Sequence, residues 1–321
     1  MTTMRVIVHG GAGGAPDEPE PRQAVLDEAA TVGIEADAPL AAVERAVRVL
    51  ESSPRFNAGV GGAVQSDGVV RTDAGVMTSD REIGAACSMA GVEHAVSVAR
   101  VVHLETPHVL LSGPHAVDLA GDFGIETNVD LLTVEKRERY ERERPPTGGP
   151  RGHLDWLAER FGSGSDQAGG APEPTESTAE SPSESTTDSD TTKRGAPDHD
   201  TVGAVASDGE TFAAATSTGG RSFALAGRVG DVPQVGSGFF CTDAGGASAT
   251  GAGEDITRVT LSRLAVDGLE DGLDAQSAAD KAIAEFESIT GSGAGVIVLD
   301  ENGAGSAFNT DGMQISVAVD R

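Results

Sequence analysis

Cysteine is nearly missing from this chain: only Cys87 and Cys241 occur in 321 residues. Two cysteines build no disulfide framework, and they fit a reducing compartment. Lysine is almost as scarce. Lys136, Lys193 and Lys281 are the three instances, so arginine supplies most of the 23 basic residues that face 51 acidic ones. The net charge of −28 argues against a nucleic-acid partner, because phosphates would be repelled rather than exchanged for counterions. No apolar run reaches the roughly 18 residues of a membrane span, so no membrane association is expected. The opening MTTMRVIVHGG also lacks the long apolar core of a signal peptide. These absences predict a soluble cytoplasmic protein. Carboxylates spread along the whole chain, with arginine favoured over lysine, point further to a high-salt cytosol; the competing reading is an ordinary acidic protein whose count is inflated by one tract.

What is present organises into short alternating elements. MRVIVH (4–9) reads as a buried strand that stops at a glycine cluster. Residues 39–51 predict an amphipathic helix, with Leu40, Val43, Ala46, Val47 and Leu50 at three- and four-residue spacing and Glu44, Arg45 and Arg48 opposite. Strands are expected over 69–77 and 83–91, a short helix over 92–101, and a small helical unit over 108–121. EKRERYERER (135–144) reads as a charged helix or solvated arm. From Ser163 to Thr192 the chain is nearly all Gly, Ser, Thr, Pro, Glu and Asp, with seven acids and no base. Such a tract cannot bury enough apolar area to offset its ordering entropy, so 163–198 is expected to be a disordered acidic linker. Beyond it, TVGAVA and TFAAATS form a predicted hairpin across Ser207-Asp208-Gly209. Helices follow over 254–268 and 276–289, then GVIVLD (295–300) and a turn at Glu301-Asn302-Gly303 open a terminal hairpin. The pattern predicts an α+β fold of sheets covered by helices, a single domain interrupted by the linker.

One junction carries chemistry. HDTVGAVA (199–206) places Thr201 where the linker meets a strand. Cleavage of the Asp200–Thr201 bond would give Thr201 a free α-amine beside its own hydroxyl. An α-amine titrates near ~7.7–8.0, so part of it is unprotonated at neutral pH and can serve as base to the hydroxyl nucleophile. The γ-methyl restricts χ1 and helps aim the hydroxyl. Alone, a threonine opening a strand is usually an ordinary strand residue.

Its neighbours change that. ATSTGGRSFALAGRVGD (215–231), ATGAGED (249–255), HGGAGG (9–14) and FNAGVG (56–61) together resemble the plant-type L-asparaginase and isoaspartyl peptidase family of N-terminal nucleophile hydrolases, which includes the glycosylasparaginases. The likeness covers residues 4 to about 130 and 201–321. It implies a four-layer αββα sandwich and a precursor cleaved between 200 and 201 into an α chain (1–200) and a β chain (201–321), paired as (αβ)2. Thr201 would be the nucleophile, with Thr218 orienting its hydroxyl and amine. Arg228 and Asp231 would take the α-carboxylate and α-ammonium of an aspartyl substrate; a guanidinium grips a carboxylate bidentately where lysine would not. Thr250 and Gly251 would donate to the oxyanion, and Gly253 would let the backbone approach the ammonium. Asn57 would support the wall. By the same resemblance, the carbonyls of Leu50, Glu51, Ser53, Phe56, Ala58 and Val60 would ring a structural sodium ion, with no other cofactor required.

The resemblance is not complete. Many members carry glycine where Asp200 stands, and aspartate there is the glycosylasparaginase pattern. TSTGG and TGAGE follow the asparaginase branch instead, while Met77-Thr78-Ser79-Asp80 replaces the usual Met-Asp-Gly. Blander readings exist for each motif: Arg228 and Asp231 as a surface ion pair, HGGAGG as a phosphate cradle without the usual spacing, His103, His108 and His115 as a metal cluster without an acidic or cysteine partner, Cys241 as a small buried residue. The expected activity is hydrolysis of L-asparagine and β-aspartyl dipeptides through an ester on Thr201. The alternatives are a glycosylasparaginase and, from another class, an uncleaved binding protein.

Overall fold

The computed structural model describes residues 3–16, 18–161 and 201–320. The expected linker and Asp200 lie outside the described residues. In chain order the elements are β1 (Arg5–Gly13), α1 (Pro19–Ile34), α2 (Pro39–Glu51), β2 (Arg71–Thr78), β3 (Ile83–Ala90), α3 (Ala95–Glu105), β4 (Leu110–Ser112), α4 (Pro114–Asp122), α5 (Val134–Glu143), α6 (Pro150–Phe161), β5 (Val202–Ser207), β6 (Phe212–Thr218), β7 (Phe239–Thr242), β8 (Gly245–Gly251), α7 (Gly253–Val259), α8 (Leu261–Glu270), α9 (Ala275–Thr290), β9 (Ala294–Leu299), β10 (Ala304–Phe308) and β11 (Gly312–Val319).

The strands form two sheets. One runs β11-β1-β5-β6-β2-β3-β4 and the other β10-β9-β8-β7. Strand alternation divides the core. Val6 and Val8 of β1, Val202, Ala204 and Ala206 of β5, and Ala213 and Ala215 of β6 join a cluster with α1, α2 and α3. Their neighbours Ile7, Val205 and Ala214 join a second cluster with the smaller sheet and with α8 and α9. Each Val or Leu fully buried in this way contributes about 1.5–3 kcal/mol. The central strands are built of small residues because space is short on both sides: a Cβ at Gly75 would lie 2.0 Å from the Phe239 ring, and one at Gly203 2.0 Å from Ser248 Oγ.

Several elements depart from the sequence expectation. β1 does not stop at the glycines. It continues to Gly13 through a register shift between His9 and Ala12, with Gly11 at φ +108°, a region that favours glycine. The helix expected over 254–268 is two helices, broken where Thr260 adopts left-handed φ +55°. The unit at 108–121 is a short strand followed by a helix, and α1 and α6 had no counterpart in the sequence pattern. β9 and β10 do pair as a hairpin, with Ala304 opposite Leu299. The chain then crosses to the other sheet, where β11 pairs antiparallel with β1.

Candidate active site

Thr201 stands at the head of β5, where hydrogen-bonded pairing with β6 begins at Val202↔Ser217. It is 7% exposed, and its Oγ1 lies 3.4 Å from Thr218 Oγ1 at the end of β6. The turn after Thr218 is held from behind by Asn57. Its Nδ2 donates to the Gly220 carbonyl at 2.6 Å, its Oδ1 accepts from Ala63 N at 2.7 Å, and its own carbonyl accepts from Gly219 N at 2.8 Å. No side chain fits at Gly219, whose Cβ would lie 2.2 Å from Gly62 Cα. Asn57 thus ties the loop after α2 to the strand that carries Thr218.

Around Thr201 a small cleft of about 20 Å³ is lined by Thr218, Gly220, Arg221, Arg228, Asp231, Gly251 and Gly253. It is far smaller than the open groove beside α1 and α2, but it is where the nucleophilic and charged groups meet. Gly253 is needed for that meeting: a Cβ there would sit 2.5 Å from Asp231 Oδ1 and 2.9 Å from an Arg228 terminal nitrogen. Thr250, fully buried at the end of β8, accepts from Ala12 N at 3.4 Å. Gly251 follows at φ +135°, packed so that a side chain would meet the Gly293 carbonyl at 2.5 Å. Thr201, Thr218, Arg228, Asp231, Gly251 and Gly253 line the cleft together, while fully buried Thr250 and Asn57 lie behind it.

The electrostatics are dominated by burial. Desolvation raises the Asp231 pKa to about 6, opposed by Arg228, and its Oδ2 is buried without a hydrogen-bond partner. An unsatisfied carboxylate oxygen beside a guanidinium is poised to receive a ligand cation. Arg228 donates through Nε to Glu254 Oε1 at 2.9 Å, with a terminal nitrogen at 2.9 Å from the same oxygen. Burial works against the Glu254 charge, yet Arg228 outweighs it and the pKa is lowered. Asp73, opposite Thr218 in the β2–β6 register, is raised to about 7 by burial, against the Ser88 amide and Arg228.

Three participants escaped the sequence reading. Glu254 lies inside the quoted ATGAGED, and its pairing with Arg228 could have been sought there. Asp73 had no signal. His9 opens HGGAGG with no spacing that marks it: it is fully buried, its pKa is lowered to about 3 by desolvation against a contact with the Thr201 backbone, and its Nε2 lies 2.9 Å from Ser248 Oγ. A neutral imidazole therefore backs the strand start. The glycines beside it, Gly10, Gly11 and Gly13, belong to strand β1. Gly10 packs on the Phe56 ring, where a Cβ would fall 2.6 Å from the ring, and its carbonyl accepts from buried Arg22.

Several carbonyls of the 50–60 loop accept backbone hydrogen bonds within it. Leu50 O, Glu51 O and Ser53 O accept from Ser53 N, Val60 N and Phe56 N. A Cβ at Gly59 would lie 2.2 Å from Glu51 O, and one at Gly61 3.1 Å from Phe56 O. The Glu51 side chain is itself buried: Oε1 accepts from Ser217 Oγ at 2.6 Å and Val96 N at 3.0 Å, and desolvation raises its pKa against His94 and Ser217. Among the described residues no group of three or more His, Cys, Asp or Glu could hold a metal ion, and no helix is long and apolar enough to cross a membrane.

Two threonine hydroxyls beside a half-buried guanidinium and a buried carboxylate form an arrangement that suits an amide hydrolase binding an amino-acid head group. Comparison with known proteins agrees. The family model described as asparaginase matches residues 2–321, and the chain belongs to that family. It is similar to the plant-type L-asparaginase of Pyrococcus furiosus, 36% identical over 321 residues with 97% of this chain and 94% of the relative covered. The plant-type L-asparaginase of Pyrococcus abyssi is 37% identical with the same coverage. The isoaspartyl peptidase/L-asparaginase of Homo sapiens is 31% identical over 308 residues, covering 93% of this chain and 87% of the relative.

Proposed function

We propose that this protein is a self-cleaving threonine amidohydrolase that converts L-asparagine to L-aspartate and ammonia and cleaves β-aspartyl dipeptides. The observation that carries the reading is Thr201 Oγ1 lying 3.4 Å from Thr218 Oγ1 in the cleft that also holds Arg228 and Asp231. Scission at Asp200–Thr201 frees the α-amine. The amine takes the hydroxyl proton as Oγ1 attacks the side-chain amide carbon, and Thr250 Oγ1 and Gly251 N donate to the oxyanion. The intermediate collapses to a β-aspartyl ester, and the leaving amine departs with a proton from the Thr201 α-ammonium. Water then hydrolyses the ester. Arg228 grips the substrate α-carboxylate, which replaces Glu254 as its partner, while Asp231 receives the α-ammonium. The chain supplies every reacting group, so no cofactor is needed.

The same reading includes a four-layer αββα sandwich, supported by the division of the core between helices and sheets, and an (αβ)2 assembly of residues 1–200 and 201–321. A sodium ion held by the carbonyls of Leu50, Glu51, Ser53, Phe56, Ala58 and Val60 rests on the family resemblance and would stiffen the support of Asn57. The net charge of −28 supports a high-salt cytosol. Intact mass spectrometry tests the central claim. A fragment beginning at Thr201 is expected, Thr201→Ala stays uncut, and asparagine and β-aspartyl-leucine are turned over in preference to a glycosylated asparagine. Hydrolysis by a homogeneous uncut chain would refute it.

A further inference from the structure

Trp156 and Tyr140 are the chain's single tryptophan and single tyrosine, and both pack on one ring near the cleft. Tyr140, on α5, stacks on Phe223 at 6.3 Å between centroids and 12° between planes. Trp156, on α6, meets the same ring edgewise at 5.8 Å and 65°. The Arg139 guanidinium lies 5.3 Å above it. Phe223 is 2% exposed and holds φ +60°, which a bulky side chain avoids unless its surroundings impose it.

Phe223 begins the stretch that leads to Arg228. Residues 64–66 hold that stretch from one side: Phe223 N donates to Val64 O at 2.7 Å, Gly227 N to Gln65 Oε1 at 2.9 Å, and Gln65 Nε2 to Arg228 O at 3.1 Å. Ser66 Oγ accepts from Ala226 N at 3.2 Å. The arm holds Ser66 in turn. His153 Nε2 donates to Pro146 O at 2.6 Å, its Nδ1 is hydrogen-bonded to Ser66 Oγ at 2.7 Å, and Tyr140 Oη donates to Ser66 O. We propose that the α5–α6 arm is a positioning element of the active site, fixing Arg228 through Phe223 and Ser66 so that the substrate carboxylate meets a preset guanidinium. A strand would have fixed these residues by its ladder; this stretch has none, and the aromatic clamp stands in for it. The clamp residues are positioning residues, since none of them lines the cleft.

This rests on Arg228 gripping the substrate carboxylate, and the tests separate the two ideas. The lone Trp156 is a built-in reporter: titrating the wild-type protein with L-aspartate is expected to change its emission saturably, over the concentrations that inhibit turnover. Trp156→Ala and Phe223→Ala should each raise KM about fivefold to tenfold while kcat stays within about twofold and self-cleavage completes, and Trp156→Phe should recover KM. A merely space-filling arm would lower the melting temperature and leave KM alone. If wild-type protein is active and inhibited by L-aspartate yet its emission does not move, or if both alanine variants keep the wild-type KM, the arm's role is overturned. Should either variant fail to fold, the wild-type titration decides. An inactive wild type, or Arg228→Lys with unchanged KM, overturns the underlying reading and the proposal with it.

Discussion

The two walls of the cleft are built on opposite principles. The proposed nucleophile wall is made of strand ends: Thr201, Thr218 and, behind them, Thr250 are small, neutral and at most 7% exposed; Thr201 heads β5, Thr218 is held opposite Asp73 in the β2–β6 register, and Thr250 opposite Gly295 in β8–β9. The proposed recognition wall, Arg228 and Asp231, is charged and sits on a segment between β6 and β7 that has no ladder of its own. Chemistry tolerates little displacement of the attacking atom, which suits a rigid sheet. Charge recognition needs burial and partners, which a loop gathered by side chains supplies. The comparison implies that damage to one wall lowers kcat and damage to the other raises KM.

The largest test is Thr250→Val, which keeps the shape and removes the hydroxyl. A loss of about 10²–10³ in kcat with little change in KM is expected from steady-state kinetics. Next is Arg228→Lys, which keeps the charge but loses the planar fork. KM for asparagine should rise about tenfold or more while kcat changes less. A third test uses acidity. Asp231 must be ionised to receive the ammonium, and burial has raised its pKa to about 6. A pH profile of kcat/KM should therefore decline gradually below about 8 as the Thr201 amine is protonated, and fall by a further tenfold per unit below about pH 6 as Asp231 is. Arg228→Lys should shift that edge, whereas Thr250→Val should lower the whole profile without moving it.

The smallest effect concerns stability. Asp73 is raised to about 7 in the fold, from about 3.9 for an unfolded aspartate. Between those values the folded state holds a proton that the unfolded state has lost, so this residue makes stability fall as pH rises from about 4 to 7. Asp73→Asn removes the titration. Its melting temperature should lose part of the wild-type decline across that window, by a few degrees at most, while the nucleophile wall keeps its geometry.

Much of the nucleophile wall was legible because strands and motifs announce themselves locally. The helix at 39–51 is read to its ends by apolar periodicity, and the β5–β6 hairpin by alternation and an Asp-Gly turn. The recognition wall was legible only as Arg228 and Asp231. Glu254, Asp73 and the aromatic clamp are set by contacts between distant segments, for which spacing gives no signal. The break at Thr260 was hidden because apolar positions continue through it, although one left-handed residue separates two helices. The pairing of β11 was not legible, because its partner in the other sheet is β1 at the opposite end of the chain.

That last pairing bears on the fate of a severed backbone. In the order β11-β1-β5-β6-β2, the first strand of the polypeptide lies between two strands from beyond residue 200, and β2 flanks β6 on the far side. A nick at 200 would yield pieces threaded through one another like interlaced fingers, each filling gaps in the other's sheet. Neither piece could drift away without unzipping a whole ladder, so both should elute as one body in native buffer and part only in denaturant.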